Sequence, residues 1–229
     1  MKSLSPEILL IASLGIAMVP LMISVGTCYL KFSIVLSLLK SGFGTQQAPS
    51  TALVMALSLV MSMVVMQPVL TDTVDRLSDV KIDELAGGSF KVLSSRGAEI
   101  VQPWKGFLLE HSGDRELAIF SDLTKKKEAA KSQSEAEATL NPQNVDRASA
   151  SLVTAVAAFV LSEIKKGFTL AFFLLIPFFV IDLVVANILV ALGLTMMSPV
   201  IVSLPIKILL FVTTDGWLLL ARNLIKAYQ

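Results

Sequence analysis

Apolar positions fall into long runs separated by one polar interval. Ile8 to Leu39 is broken only by Pro20 and Lys31, and Thr51 to Leu70 is uncharged throughout. Gly167 to Ala221 holds three formal charges, Asp182, Lys207 and Asp215. At 1.5 Å per residue, the first run would make roughly 48 Å of helix against a hydrocarbon core of about 30 Å, so it must tilt, leave the bilayer or kink, with Pro20 the expected place. The glycines and proline from Ser41 to Ser50 punctuate a turn. A second break, Gly-Leu-Thr-Met-Met-Ser-Pro, runs from Gly193 to Pro199. The pattern predicts an all-α membrane protein: two long helical hairpins, about four hydrophobic helices, with a polar, partly helical insert between them.

The expected division is residues 1–70 for the first hairpin, 71–150 for the insert and 151–229 for the second hairpin. Within the insert, short helices are expected over Pro103–His111 and Glu116–Leu123. The Lys-, Glu-, Ala- and Ser-rich stretch 125–150 cannot bury enough apolar surface to offset its ordering entropy, which predicts a mobile loop or a solvated helix. Apolar periodicity returns from Ala150 to Phe159.

Composition sharpens the class. Apolar residues make up 54% of the chain and charged ones 16%, which is too greasy for a soluble domain. Residues 71–150 hold 25 of the 37 formal charges, so they belong in water. The net charge of +1 and the lack of a basic stripe interleaved with aromatics give no sign of nucleic acid. Cys28 is the single cysteine, so no intrachain disulfide can form. An uncleaved first helix is expected, since no small-residue cleavage site follows the N-terminal apolar run. Lys31 and Lys40 flank the first turn while the insert is slightly acidic, which favours a cytoplasmic turn and an extracytoplasmic insert; Arg222 and Lys226 argue the other way.

The candidate chemistry centres on Asp182 and Lys207, which lie at nearly equal distances either side of the second break. An antiparallel hairpin turning there sets them at similar depth, where an unpaired charge would cost several kcal/mol. They are therefore expected to pair, within one subunit or between copies, to fix register. A proton or ion relay is the alternative. An aspartyl protease using Asp182 and Asp215 is disfavoured because Lys207 is available as partner. His111 is the lone histidine and is expected to face solvent, so histidine-based metal sites and Ser/His catalysis lack their central group. Asp215, Gly216 and Trp217 read as an interfacial anchor. Met196 and Met197 in the break suggest either a deformable constriction or an ordinary turn. Met55, Met61, Met63 and Met66 read as packing residues. No catalytic residue, metal or cofactor is expected.

Pro-Phe-Phe-Val-Ile-Asp-Leu-Val-Val-Ala-Asn from Pro177, Ser-Pro-Val-Ile-Val-Ser-Leu-Pro-Ile-Lys from Ser198 and Leu-Phe-Val-Thr-Thr-Asp-Gly-Trp ending at Trp217 closely resemble the FliP/SctR family of type III secretion export apparatus proteins. The likeness extends to Lys31 and Phe32, to Gly44, Gln46, Gln47 and Pro49, to Met66 and Pro68, and to Phe159, Ser162 and Glu163. It also takes in Phe178, Gly193, Pro199 and Pro205 within the second hairpin. The resemblance implies an export-gate component that forms a homo-oligomer with FliQ/SctS-type and FliR/SctT-type membrane subunits, within larger export-gate and needle-complex assemblies. Together they would form a closed channel for unfolded secreted proteins, set in the lipid of the bacterial inner membrane and raised partly towards the periplasm. It further implies an acid–lysine pair between protomers, mapping onto Asp182 and Lys207, and a methionine closure mapping onto Met196 and Met197. Where the family often has three consecutive methionines, this chain has Leu194, Thr195 and Met196 followed by Met197, and Ser50 replaces a usual second proline. The injectisome branch is favoured over the flagellar one because no cleaved signal sequence is evident.

Two function classes make opposite predictions for exchanging the charges. Asp182→Lys with Lys207→Asp should rescue a structural pair in an export gate but not a directional relay in an autonomous ion or proton transporter.

Overall fold

The structure, a computed structural model, describes Ser13, Ala17 and residues 24–44, 49–78, 90–132, 147 and 150–229. Among these residues there are seven principal helices and no strand. They are α1 Tyr29–Gly42, α2 Thr51–Ser78, α3 Phe90–His111, α4 Asp114–Ser132, α5 Leu152–Ala191, α6 Pro199–Thr213 and α7 Gly216–Lys226. Two are long and apolar enough to cross a membrane, Thr51–Arg76 within α2 and the whole of α5; α6 and α7 make a third candidate bent by 61° at its break. The chain is an all-α membrane protein.

Against the expected set of about four hydrophobic helices, the first differs most. Much of Ile8–Leu39, including Pro20, lies outside the described residues, but a break appears further on. Residues 24–26 are helical, Thr27 and Cys28 turn, and α1 starts at Tyr29, whose N–H donates to Thr27 Oγ1 at 3.2 Å. A threonine hydroxyl taking an otherwise orphaned N–H is an N-cap device. Gly26 explains the position of the break. Its carbonyl accepts the Trp104 indole N–H at 2.6 Å, and a Cβ there would lie 2.8 Å from indole Cε2 and nearer still to Cζ2. With 14 residues, or about 21 Å, α1 is shorter than the hydrocarbon core. Gly26→Ala is expected to cost about 1–3 kcal/mol through overpacking, read as a lowered Tm of the detergent-purified chain; an unchanged Tm would remove the Trp104 contact as the cause of the break.

The chain divides into two compact units, one from Met1–Tyr29 and Asp72–Leu161, the other from Leu30–Thr71 and Ser162–Gln229. The division cuts α2 between Thr71 and Asp72, beside the composition change near 70, and cuts α5 between Leu161 and Ser162; both helices run uninterrupted through the change between apolar and polar sequence. In the first unit, Leu108, Leu117, Ala155, Ala158 and Phe159 are fully buried. Arg147 ties this core down by donating to the Leu109 carbonyl at 2.9 Å and pairing with Asp114. The helices here are longer than the pattern suggests: α3 begins at Phe90 with Pro103 inside it, and α4 continues to Ser132. Proline removes one helix hydrogen bond, and the packing of Trp104, Phe107 and Leu108 just beyond it offsets that loss. Of the segment expected as a mobile loop or a solvated helix, residues 125–132 are helical, and most of the remainder lies outside the described residues. His111 is half-buried rather than solvent-facing, with Nδ1 2.9 Å from the Phe107 carbonyl and its ring 4.3 Å from that of Phe107.

In the second unit, α5 and α6 form a hairpin. At 40 residues α5 is about 60 Å long, with Glu163, Lys165 and Lys166 in its N-terminal part, so only the portion from Gly167 matches a hydrocarbon core. Its end is chemically specified. Gly193 takes φ +73°, its N–H donates to Val190 O at 3.0 Å, and the Leu194 N–H donates to Leu189 O at 2.9 Å. That is the paired hydrogen bonding of a Schellman stop, in which glycine occupies the left-handed position without steric cost. Ser198 then occupies the N-cap position of α6 without a side-chain capping bond, and Pro199 takes the first helical position, where the missing N–H is not needed.

Candidate functional site

Four-residue spacing builds the facing stripes of this hairpin. On α6, Ser203, Lys207 and Phe211 are buried one turn apart; on α5, Phe178 lies one turn before Asp182, followed by buried Val185 and Leu189. Side chains four apart share a helix face, so the antiparallel turn brings Asp182 to Lys207. The ammonium donates to Asp182 Oδ2 at 2.7 Å and to the Gly42 carbonyl at 2.9 Å. Ser203 donates its hydroxyl to the other carboxylate oxygen, Oδ1. Burial is unequal: the Lys207 side chain is 2% exposed and that of Asp182 30%.

Gly42 earns its place because it ends α1 against α5. A Cβ there would displace the Leu175 side chain and lie 3.1 Å from Phe178 Cδ2, so glycine gives the closest approach of this helix end to α5. The Phe178 ring centroid lies 6.0 Å from the ammonium, and the Phe43, Phe178 and Phe211 rings pack against one another, 4.9, 5.4 and 6.4 Å apart. Coulomb attraction in desolvated surroundings and two acceptors for the cation hold the two charges together in one knot.

The Asp-Gly-Trp motif is a joint. Asp215 takes φ +49° at the N-cap of α7 and is exposed. A Cβ on Gly216 would fall 2.5 Å from the Phe211 ring, and Trp217 meets that ring edge-on at 5.0 Å. Here α6 and α7 bend by 61°. Both Asp182 oxygens face donors, while Asp215 lies exposed at the α6–α7 joint, so the two do not form the proton-sharing pair an aspartyl mechanism needs. Met196 is fully exposed and Met197 half-exposed in the turn. Pro49 precedes α2, while Pro177 and Pro205 lie inside α5 and α6. Gln46 and Gln47 are outside the described residues. Met61 and Met66 are buried, whereas Met55 and Met63 are exposed.

The chain matches the sequence model of the FliP family over residues 10–224. It belongs to that family. It is 37% identical over 224 residues to "Surface presentation of antigens protein SpaP" of Salmonella typhi, covering 97% of each chain. It is 36% identical over 231 residues to "Yop proteins translocation protein R" of Yersinia pestis, covering 100% of this chain and 99% of that one. With "Flagellar biosynthetic protein FliP" of Rhizobium meliloti it shares 33% identity over 202 residues, covering 88% of this chain and 75% of that protein.

A second buried charge centre in this FliP-family chain was not paired by sequence reasoning. Lys31 and Glu163 are 2% and 0% exposed, with Lys31 Nζ 3.8 Å from Glu163 Oε2. Lys166 approaches Glu163 Oε1 at 3.6 Å, and Tyr228 donates its hydroxyl to Oε2. Lys31 Nζ also lies 4.0 Å over the Tyr228 ring. A lone cation in the first apolar run was the visible signal that Lys31 needs a partner. The partner was hidden among Glu163, Lys165 and Lys166, since nothing along the chain says which one turns inward.

Proposed function

We propose that this chain is a core export-gate component of a type III secretion system, of the injectisome branch, sitting in the bacterial inner membrane and raised partly towards the periplasm. It forms a homo-oligomer with FliQ/SctS-type and FliR/SctT-type subunits, within larger export-gate and needle-complex assemblies, as a gated channel for unfolded protein substrates. Family membership, with near-complete coverage of relatives named for surface presentation of antigens and for Yop protein translocation, supports the assignment. The observation that carries the structural role is the locked Asp182–Lys207 knot. An ammonium held by a carboxylate and a helix-end carbonyl is suited to holding hairpin register, whereas a relay needs a charge that can move.

The pair closes within one chain here. In the assembled ring, the partly exposed edge of Asp182 is the part of the knot open to a neighbouring protomer, which is how the inter-subunit role is read. Met196 and Met197, at the tip of the hairpin, are the lumen-closing residues in this reading.

Native mass spectrometry of the detergent-purified chain, alone and with the two partner subunits, tests this for wild type and Lys207→Ala. A multi-copy particle that gains both partners and falls apart in the variant is the expected result. A monomer or dimer indifferent to partners and mutation would overturn it.

A further inference from the structure

The C-terminal residues bind back into the same unit at a specific place. Gly216, Leu220 and Leu224 are the buried positions of α7, spaced by four, and Tyr228 is the next in that series. The chain keeps its turn beyond the helix end: the Ala227, Tyr228 and Gln229 N–H groups donate to Asn223, Ile225 and Lys226 carbonyls. Tyr228 is thereby carried to the Lys31–Glu163 centre. There it serves both charges at once, with its ring face under the ammonium and its hydroxyl on the carboxylate. Phe32, fully buried one residue after Lys31, holds the same ring edge-on at 5.8 Å. At the other end, α7 departs from α6 at the 61° joint where Asp215 adopts a left-handed conformation.

We propose that α7 is a strap set off from α6 by the joint at Thr214–Asp215, and that Tyr228, two residues past its end, latches over the buried Lys31–Glu163 pair. A buried carboxylate–ammonium pair is stable only if its remaining lone pairs and charge are satisfied. One aromatic hydroxyl residue supplies a donor to the anion and a π-face to the cation together. Gly216, Leu220 and Leu224 hold the strap along its buried face, and the latch fixes the end farthest from the joint. This concerns the single protomer and stands whether or not the secretion role does.

Amide hydrogen exchange of the full-length chain in nanodiscs, read by mass spectrometry, tests the latch. Tyr228→Phe keeps the ring but removes the hydroxyl donor. It is expected to speed exchange in the last two turns of α7 about tenfold or more, the scale of a hydrogen bond to a charged group, with α6 unchanged. Phe32→Leu should speed the same amides. In a background without the charges, Lys31→Met with Glu163→Leu, adding Tyr228→Phe should change exchange little, because the hydroxyl then has no anion to serve. Wild-type exchange rates in Tyr228→Phe would overturn the proposal, as would equal acceleration of α6 and α7 or an undiminished effect in the charge-free background. If the charge-free background does not fold, the α7-against-α6 comparison in Tyr228→Phe and Phe32→Leu still decides.

Discussion

Asp182→Asn is expected to destabilise the chain by about 3–5 kcal/mol, the cost of stranding one member of a buried ion pair, and more than Lys207→Met does. The asymmetry follows from burial. Neutralising the carboxylate leaves an ammonium only 2% exposed with neutral acceptors alone, the amide oxygen and the Gly42 carbonyl, whereas removing the ammonium leaves a carboxylate 30% exposed and still bonded to Ser203. The neutral double variant Asp182→Asn/Lys207→Met should be more stable than Asp182→Asn alone, since no charge is left buried without a partner. Denaturation of the purified protein in mixed micelles measures all three. Equal losses for the two single variants, or a double variant as unstable as their sum, would show that the knot does not act as a desolvated pair.

The same surroundings revise the expectation for the charge exchange. Asp182→Lys with Lys207→Asp restores opposite charges, but it sets a carboxylate against the Gly42 carbonyl, which can only accept. Rescue by the exchange is therefore expected to be partial even for a structural pair. A relay would still show no rescue, so the comparison keeps its discriminating power.

Lys31→Met is the second substitution with a large expected effect, again about 3–5 kcal/mol, because Glu163 is 0% exposed and loses its buried cation. Lys166→Ala, at the same carboxylate, should cost under about 1 kcal/mol, since the Lys166 side chain is 44% exposed and water screens it. The pair of measurements separates burial from proximity: both lysines lie within 4 Å of Glu163, and only one is out of water. Similar losses from the two would mean that burial does not set the worth of these ion pairs.

Much of the fold was legible before any coordinates. The apolar runs, the Gly193–Pro199 break and the depth-matched Asp182 and Lys207 all follow from local rules: hydrocarbon-length stretches, glycine in a left-handed stop, proline at a helix start, and the cost of a lone charge in an apolar medium. These are properties of a few neighbouring residues or of two positions tied by one turn. A hairpin makes sequence distance a proxy for spatial distance.

What only the tertiary structure decided involves residues that no local rule connects. The Gly42 carbonyl meets Lys207 across 165 positions, Tyr228 meets Glu163 across 65, and Trp104 fixes the break at Gly26 across 78. Each joins an ordinary-looking group to a distant one, and each depends on which face of a helix turns inward once its neighbours are packed. The single run read from Ile8 to Leu39 shows the limit most plainly. Its hydropathy is continuous, but the helix ends at Gly26, whose carbonyl accepts an indole N–H from another helix. The sequence by itself determined where the apolar runs lie and where they turn, because the cost of transfer into lipid is set residue by residue. The packing of distant side chains decided where they break and which charges are satisfied, because hydrogen-bond partners exist only after the chain has folded back on itself.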